Sequence, residues 1–249
     1  MIQEARWMLR YTLRSLRKNI RLWRRDLAAW WRFWSNYQRY KRLAPPDKQP
    51  SLAHLYPCLG DDTEEIPIEP IYFYQDAWAF EKIVNHRPAF HVDVGSHHKF
   101  VALLSKVVPV IMVDIRPWSL PLDTVEFRKG SVLDLPFEDA TVSSVSSLCV
   151  VEHIGLGRYG DPLDPYGSEK AIQELKRIVQ PGGNFYLSVP IDDENRIYFN
   201  AHRAFEEKYL LDLFKPFQIV ECRYIYGRNF VGQRRTGFGT GCYHLRCPQ

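Results

Sequence analysis

The sequence holds no run of 18 or more apolar residues free of charge, so no segment is expected to cross a membrane as a helix. Its N-terminus lacks the compact apolar stretch and small-residue cleavage site of a secretory leader, so secretion is not expected either. Cysteine is scarce and scattered: Cys58, Cys149, Cys222, Cys242 and Cys247 show no C-x-x-C pair, which argues against a zinc site and for a reduced, cytoplasmic compartment. Internal repeats and low-complexity tracts are absent. Glycine is missing where a nucleotide-binding loop would carry several: "HVDVGSHHKF" (91–100) has Gly95 alone.

The 249 residues, 45% of them hydrophobic, suffice for one sizeable α/β domain and an appendage. Charge is unevenly spread. Residues 1–43 carry twelve Lys or Arg against Glu4 and Asp26, while the overall formal charge is only +4. A basic arm is therefore attached to a mildly acidic body. Within the arm, Leu9, Leu13, Leu16, Ile20, Trp23, Leu27, Trp30, Trp34 and Tyr37 recur at steps of three and four, one stripe of a long amphipathic helix. Arginine fills the other faces, and five of the seven tryptophans lie here. "LAPPDKQP" (43–50) ends the helix, because adjacent prolines cannot continue it.

Residues 44–84 read as a linker with short helical elements, and the main domain is expected over 85–249. There, strand and helix signals alternate: strands at 90–94, 110–114, 125–129, 142–148, 184–190, 217–226 and 241–246, helices near 97–106, 168–179 and 204–214. This predicts a Rossmann-like, seven-stranded, mainly parallel sheet with helices on both faces. The "PGG" at 181–183 reads as a turn into the fifth strand.

In such a sheet ligands lie beyond the carboxyl ends of the strands, which places Asp93, Gly95 and Ser96 on a binding edge. Asp114 ends the next strand nineteen residues past Gly95, where a carboxylate accepts hydrogen bonds from ribose hydroxyls. A dinucleotide needs further glycines for its pyrophosphate, and His97 and Lys99 make that approach bulky. The pair points instead to a nucleoside ligand without a pyrophosphate, S-adenosyl-L-methionine being the commonest. His97 and His98 are neighbours that do not share a helix face, a poor pair of metal ligands, and no metal site is expected.

The runs "VDVGS", "MVDIRP", "GSVLDLPFED", "SSLCVVEHIGLGRYGDPLDPYG", "ELKRIVQPGGNFYLSVP" and "FNAHRAF", in this order over residues 85–226, resemble the class I S-adenosylmethionine-dependent methyltransferases. More narrowly they resemble a methyltransferase-like family catalogued as a domain of unknown function, known from bacteria and nematodes. The resemblance implies that Asp93, Gly95 and Ser96 line the methionine and ribose part of the cofactor. It implies that Asp114, with Ile115, holds the ribose, and that Ser131 and Val132, with Leu148, reach the adenine edge. Ser131 departs from the acid that many members carry.

Methyl transfer is a displacement at a sulfonium, so holding acceptor and methyl in line supplies most of the catalysis. A hydroxyl acceptor also gains from a base. His153 in "VVEHIG" is the first candidate, with Glu152 beside it and His202 across the same edge. The loop "GLGRYGDPLDPYG" (155–167) is too long to be only a connector. It reads as an acceptor lid with Arg158, Tyr159, Asp161 and Asp164 as contacts and Arg203 nearby; a self-packed turn or a divalent-cation loop are its other readings.

The expectation is a methyltransferase acting on a small-molecule or glycan hydroxyl, a saccharide or glycolipid, peripheral on the inner face of an anionic membrane through residues 1–43. A coiled-coil seam for self-association is the other reading of the arm, and nucleic-acid binding a weaker one. A non-catalytic scaffold with the same fold, or a nucleic-acid methyltransferase, are the rival functions.

Overall fold

The computed structural model describes residues 26–249, so the part of the amphipathic stripe from Leu9 to Trp23 lies outside the described residues. Two units are present, one up to Pro67 and one from Ile68 to Gln249. In the first, residues 26–43 form helix α1, followed by 3₁₀ turns at Pro46–Lys48 and Leu52–His54. Pro45 and Pro46 stop α1 as expected, since proline cannot donate to the preceding turn. Arg32 of α1 pairs with Asp62 at 3.0 Å and donates to the carbonyl of Leu59 at 3.3 Å, folding the returning chain along the helix. The covered side includes Ala29, whereas the stripe residues Leu27, Trp30 and Trp34 stay exposed.

The second unit opens with α2 (Pro70–His86), a single 17-residue helix where the sequence suggested short pieces. Pro70 sits in its first turn, Glu69 caps Ile71 N–H, and Arg87 closes it in the left-handed region (φ 50°). Trp78, Ala79 and Ile83 recur on one face and are buried against Phe100, Leu104, Val110 and Met112. α2 thus supplies part of the sheet's core within the unit that runs from Ile68 to Gln249.

The strands are β1 (His91–Val94), β2 (Val110–Asp114), β3 (Val125–Lys129), β4 (Val142–Leu148), β5 (Val179–Asp192), β6 (Arg196–Tyr198), β7 (His202–Glu206), β8 (Gln218–Tyr226), β9 (Asn229–Val231) and β10 (Gly239–Arg246). Their order is β3-β2-β1-β4-β5-β10-β8-β9, with β7 paired beside the end of β5 and β6 on β7. The first five strands run parallel, and β10, β8 and β9 continue antiparallel. Ten strands thus replace the expected seven, because three short ones (β6, β7 and β9) form in segments read as loop or helix. The helix predicted near 204–214 begins as β7, and only α5 (Glu207–Leu213) is helical. "PGG" is a bulge inside β5, not a turn ahead of it: the pairing with β4 jumps between Val142–Val179 and Ser144–Asn184.

Helices α3 (His98–Leu104) and α2 cover one face of the sheet; α4 (Gly167–Ile178) and α5 cover the other. In α4, Ala171, Ile172, Leu175 and Ile178 follow the three-four spacing and are fully buried. Each such Ile or Leu contributes about 1.5–3 kcal/mol. This double cover aligns the carboxyl ends of β1, β2 and β4 on one edge, where every loop considered below emerges.

Candidate cofactor and acceptor site

At the end of β1 the chain turns through Gly95 at φ +73°, and a Cβ there would come within 3.0 Å of Val150 Cγ1. Glycine both reaches this conformation and leaves room for the β4 loop. Ser96, buried, accepts from Leu148 N–H at 3.0 Å, stitching the β1 turn to the end of β4. Asp93 lies beneath, fully buried. Its Oδ1 accepts from Ser96 N–H at 3.1 Å and its Oδ2 from Ser146 Oγ at 2.5 Å.

The hydrogen bonds below Asp93 have one consistent direction. Ser146 donates to a carboxylate, so His91 Nε2 at 2.8 Å must donate to Ser146, and His91 Nδ1 then accepts from Ser144 Oγ at 2.7 Å. Burial holds His91 neutral, with its pKa lowered to about 3. Burial raises Asp93 to about 6, opposed by its bonds from Ser146 and Ser96. Asp93 therefore acts on the turn from below. The sequence reading placed it on the cofactor and missed His91, Ser144 and Ser146, although three buried serines in the apolar strand "VSSVSSL" were an available signal.

Asp114 ends β2 and accepts Arg116 N–H on Oδ1 at 2.8 Å, with Arg116 Nε 3.7 Å away. Among the described residues Oδ2 has no protein donor. Ile115 is exposed beside it, and Val132 and Leu148 are buried. Ser131 Oγ accepts from Leu133 N–H at 3.1 Å, a turn-forming bond of its own loop.

Beyond β4, the 3₁₀ turn Val151–His153 carries Glu152 and His153. Glu152 is 1% exposed and its Oε2 has no hydrogen-bond partner. Burial raises its pKa to about 8, so it holds its proton at neutral pH. His153 Nδ1 lies 2.6 Å from the carbonyl of Ala201, which only accepts, so Nδ1 bears the hydrogen and Nε2 is left with its lone pair. Nε2 sits 3.6 Å from Glu152 Oε1. Burial, followed by the charge of Arg158, lowers His153 to about 4 despite the bond to Ala201. His202 has an unpartnered Nε2 and packs on Tyr198 (4.9 Å) and Phe238 (5.8 Å). Tyr159 meets His153 edge-on at 5.7 Å.

The loop 155–167 is built from within. Asp161 accepts from Gly155 N–H at 2.7 Å, Gly157 N–H at 3.4 Å and Tyr159 N–H at 3.2 Å. Desolvation would raise its pKa, but these donors outweigh it and the net shift is downward. Asp164 accepts from Tyr166 N–H and from Lys170 Nζ at 2.6 Å. Arg203 is 5% exposed and donates to the Ile154 carbonyl and Ser168 Oγ through one nitrogen, and to the carbonyls of Asp164 and Pro165 through the other. Asp161, Asp164 and Arg203, expected as acceptor contacts, have these bonds within the loop and to its flanks. Arg158 and Tyr159 remain exposed at its tip. Among the described residues no three metal-ligating side chains gather.

Helix α2 adds residues the sequence reading passed over. Gln75, fully buried, accepts from Ser188 Oγ at 2.6 Å and Cys149 Sγ at 3.1 Å. Asp76 beside it is raised by burial to about 7. Tyr72 packs on His97 at 5.0 Å, and the Nδ1 of His97 is buried without a partner. α2 thus brings Tyr72 and His97 together, and Gln75 to Cys149, at the same edge as the β1 and β4 turns. The left-handed Gly95, the unspent Asp114 Oδ2 and the orphaned atoms of His97 and Glu152 suit an adenosyl ligand with polar groups at both ends.

Comparison with known proteins agrees with this geometry. Residues 137–227 match the family model described as "Caenorhabditis protein of unknown function, DUF268". A Mycolicibacterium smegmatis protein named Probable S-adenosylmethionine-dependent methyltransferase is 32% identical over 79 residues, 32% of this chain and 25% of its own length. The chain therefore spans about a quarter of that relative. Among solved structures, the N-methyltransferase NodS from Bradyrhizobium japonicum in complex with S-adenosylhomocysteine aligns with a TM-score of 0.52 at 16% identity, over 86% of this chain and 98% of NodS. The Burkholderia thailandensis 1,6-didemethyltoxoflavin-N1-methyltransferase, with S-adenosylhomocysteine bound, aligns at 0.50 and 18% identity, over 74% and 93%. The solved structures show that the chain shares the fold of these S-adenosylhomocysteine-bound methyltransferases, and the family model and the curated relative each match only part of its length.

Proposed function

We propose that the chain is an O-methyltransferase that uses S-adenosylmethionine on a hydroxyl of a saccharide or glycolipid-type acceptor, held at a membrane surface by its N-terminal helix. The observation that carries this reading is the Glu152–His153 pair: a neutral imidazole with a free Nε2 beside a carboxyl group that keeps its proton at neutral pH. In this reading Gly95 and Ser96 cradle the methionine end, and Asp114, through Oδ2, takes a ribose hydroxyl. Ile115, Val132 and Leu148 wall the adenosine, and the Ser131 segment meets the adenine edge. Asp93 positions the Gly95 turn rather than touching the ligand.

The bound cofactor supplies an activated methyl group on a sulfonium. His153 Nε2 accepts the hydroxyl proton as the acceptor oxygen forms its bond to carbon, so the site exchanges a sulfonium charge for an imidazolium charge and its net charge is unchanged. Glu152 keeps its proton, and its Oε1, 3.6 Å from that nitrogen, faces the hydrogen that Nε2 gains. The exposed rings of Tyr198 and Phe238 beside His202 offer flat apolar faces for a sugar ring. The exposed Trp30, Trp31 and Trp34 among the arginines of α1 suit the interface of an anionic membrane.

Calorimetric titration with S-adenosylmethionine and S-adenosylhomocysteine tests the cofactor half, with Gly95→Arg and Asp114→Ala as variants that should lose binding. His153→Gln should bind cofactor normally and lose turnover of a saccharide acceptor. Sedimentation with anionic liposomes should require residues 1–43. The second reading, a non-catalytic scaffold, is favoured by one observation: both oxygens of Asp93 are spent inside the protein. Absence of binding to either cofactor form would make it the better account.

A further inference from the structure

Arg116 leaves the end of β2 and Arg158 the tip of the 155–167 loop, yet both guanidinium groups gather on one ring, 4.5 Å and 5.1 Å from the centroid of Tyr159. Tyr159 in turn stands against His153. Stacking on an aromatic face uses the flat side of a guanidinium and leaves its N–H edge for a ligand. Arg158 spends one nitrogen on the carbonyl of Ala201 at 3.1 Å. Its contact with His153 Nδ1 at 3.2 Å is not a second bond, because that nitrogen already bears a hydrogen. Among the described residues no carboxylate lies within 4.0 Å of Arg158, and the guanidinium of Arg116 has only Asp114 at 3.7 Å.

The nearby acids do not cancel these charges. Asp161 is saturated by backbone donors and Asp164 by Lys170 and Tyr166 N–H. Glu152 is buried with its proton on. The field of Arg158 reaches the site itself, where it adds to burial in disfavouring the charged forms of His153 and His202. A positive rim therefore faces solvent directly beside the acceptor base.

We propose that Arg158 and Arg116, assembled on Tyr159, bind an anionic group of the acceptor, a carboxylate or a phosphate, so that the hydroxyl compound methylated here carries a negative charge. This rests on the saccharide reading above and narrows it. The two arginines come from the ribose-side loop and the acceptor loop, so the anion spans the gap between them and fixes the acceptor hydroxyl relative to His153.

Two measurements on the full chain separate this inference from the reading beneath it. In the first, histidine NMR follows the His153 ring while inorganic phosphate is added in a buffer free of other oxyanions. Phosphate at the rim offsets the Arg158 charge and shifts the His153 titration to higher pH; Arg158→Gln and Arg116→Gln should each weaken the phosphate response about five- to twentyfold. In the second, calorimetry with S-adenosylhomocysteine present compares glucuronate, glucose 6-phosphate and glucose. Tighter binding of either charged sugar, lost in both variants, supports the proposal and identifies the preferred anion. A phosphate response lost in the variants, with no sugar binding, keeps the anion site and removes the saccharide. Equal binding of glucose and the charged sugars, or a phosphate response that is absent or unchanged in both variants, overturns it.

Discussion

Glu152→Gln is expected to stabilise the protein, and the gain should depend on pH in a way that only a buried, proton-retaining carboxyl can produce. The side chain is 1% exposed, its Oε2 has no partner, and burial raises its pKa from 4.5 to about 8. The folded pKa lies above the unfolded one, so the contribution of this group to stability is fully present below pH 4.5. It is lost as pH rises towards 8, because the unfolded chain then gives up a proton that the folded chain must keep. At pH 7 that penalty is about 3 kcal/mol, at pH 4 under about 0.5 kcal/mol, and above pH 8 about 5 kcal/mol. Glutamine cannot ionise and escapes it. Urea unfolding of both proteins between pH 4 and 9 measures the difference directly, and all groups common to the two cancel. The amide will add a constant offset through its own hydrogen-bond needs. The slope is the test. A difference that stays flat within about 0.5 kcal/mol from pH 4 to 9 would refute the buried-acid argument, and with it the neutral pair on which the proposed base depends.

Three further outcomes follow from the same geometry. Arg203→Met should destabilise the second unit by about 3–5 kcal/mol and lower its melting temperature by roughly 10 °C, because one buried and three partly buried acceptors lose their donor; unchanged melting would remove the clamp. Gly95→Ala should cost about 1–2 kcal/mol through its left-handed φ and the contact with Val150; adding Val150→Ala should restore only the contact part, so full recovery in the double variant would contradict the backbone argument. Once an acceptor is found, kcat/KM should rise through a pH near 4 and fall above about 8 as the His153–Glu152 pair titrates; a rising limb near the ordinary histidine value of 6.5 would show that His153 is not held neutral.

The central strands were legible because they are largely buried on both faces, and the edge strand β3 because Val125 and Phe127 alternate with charged residues. "VIMVD" and "VEFRK" have the bounds read from the sequence, and β1 and β4 end where an apolar run meets Gly95 or Cys149. The short strands were not. β6 and β9 are exposed or partly so, lack alternation, and exist because an edge beside β7 or β8 was available to pair with. No local pattern carries that information. The same holds for the start of β7: "HRAFE" precedes a helix and reads as its first turn, but Phe205 pairs with Ile191 at the end of β5.

For the site, sequence position identified which residues stand at the carboxyl edge but not which way their polar groups are committed. Asp161, Asp164 and Arg203 are the chemical types that bind substrates, and nothing in "GLGRYGDPLDPYG" distinguishes a carboxylate offered to a ligand from one filled by three backbone N–H groups. The distinction is set by the glycines. Positive φ at Gly155, Gly157 and Gly160 bends the chain so that its own donors converge on Asp161, and a Cβ at Gly155 would strike the carbonyl of Asp164. A loop that must satisfy its buried polar groups uses its acids internally and leaves at its tip the residues too long to be absorbed, here Arg158 and Tyr159. Those leftovers, with Arg116 from another strand, are the groups free to meet an acceptor. In the proposed reading, the loop's glycines therefore say more than its aspartates about which side chains are left for an acceptor.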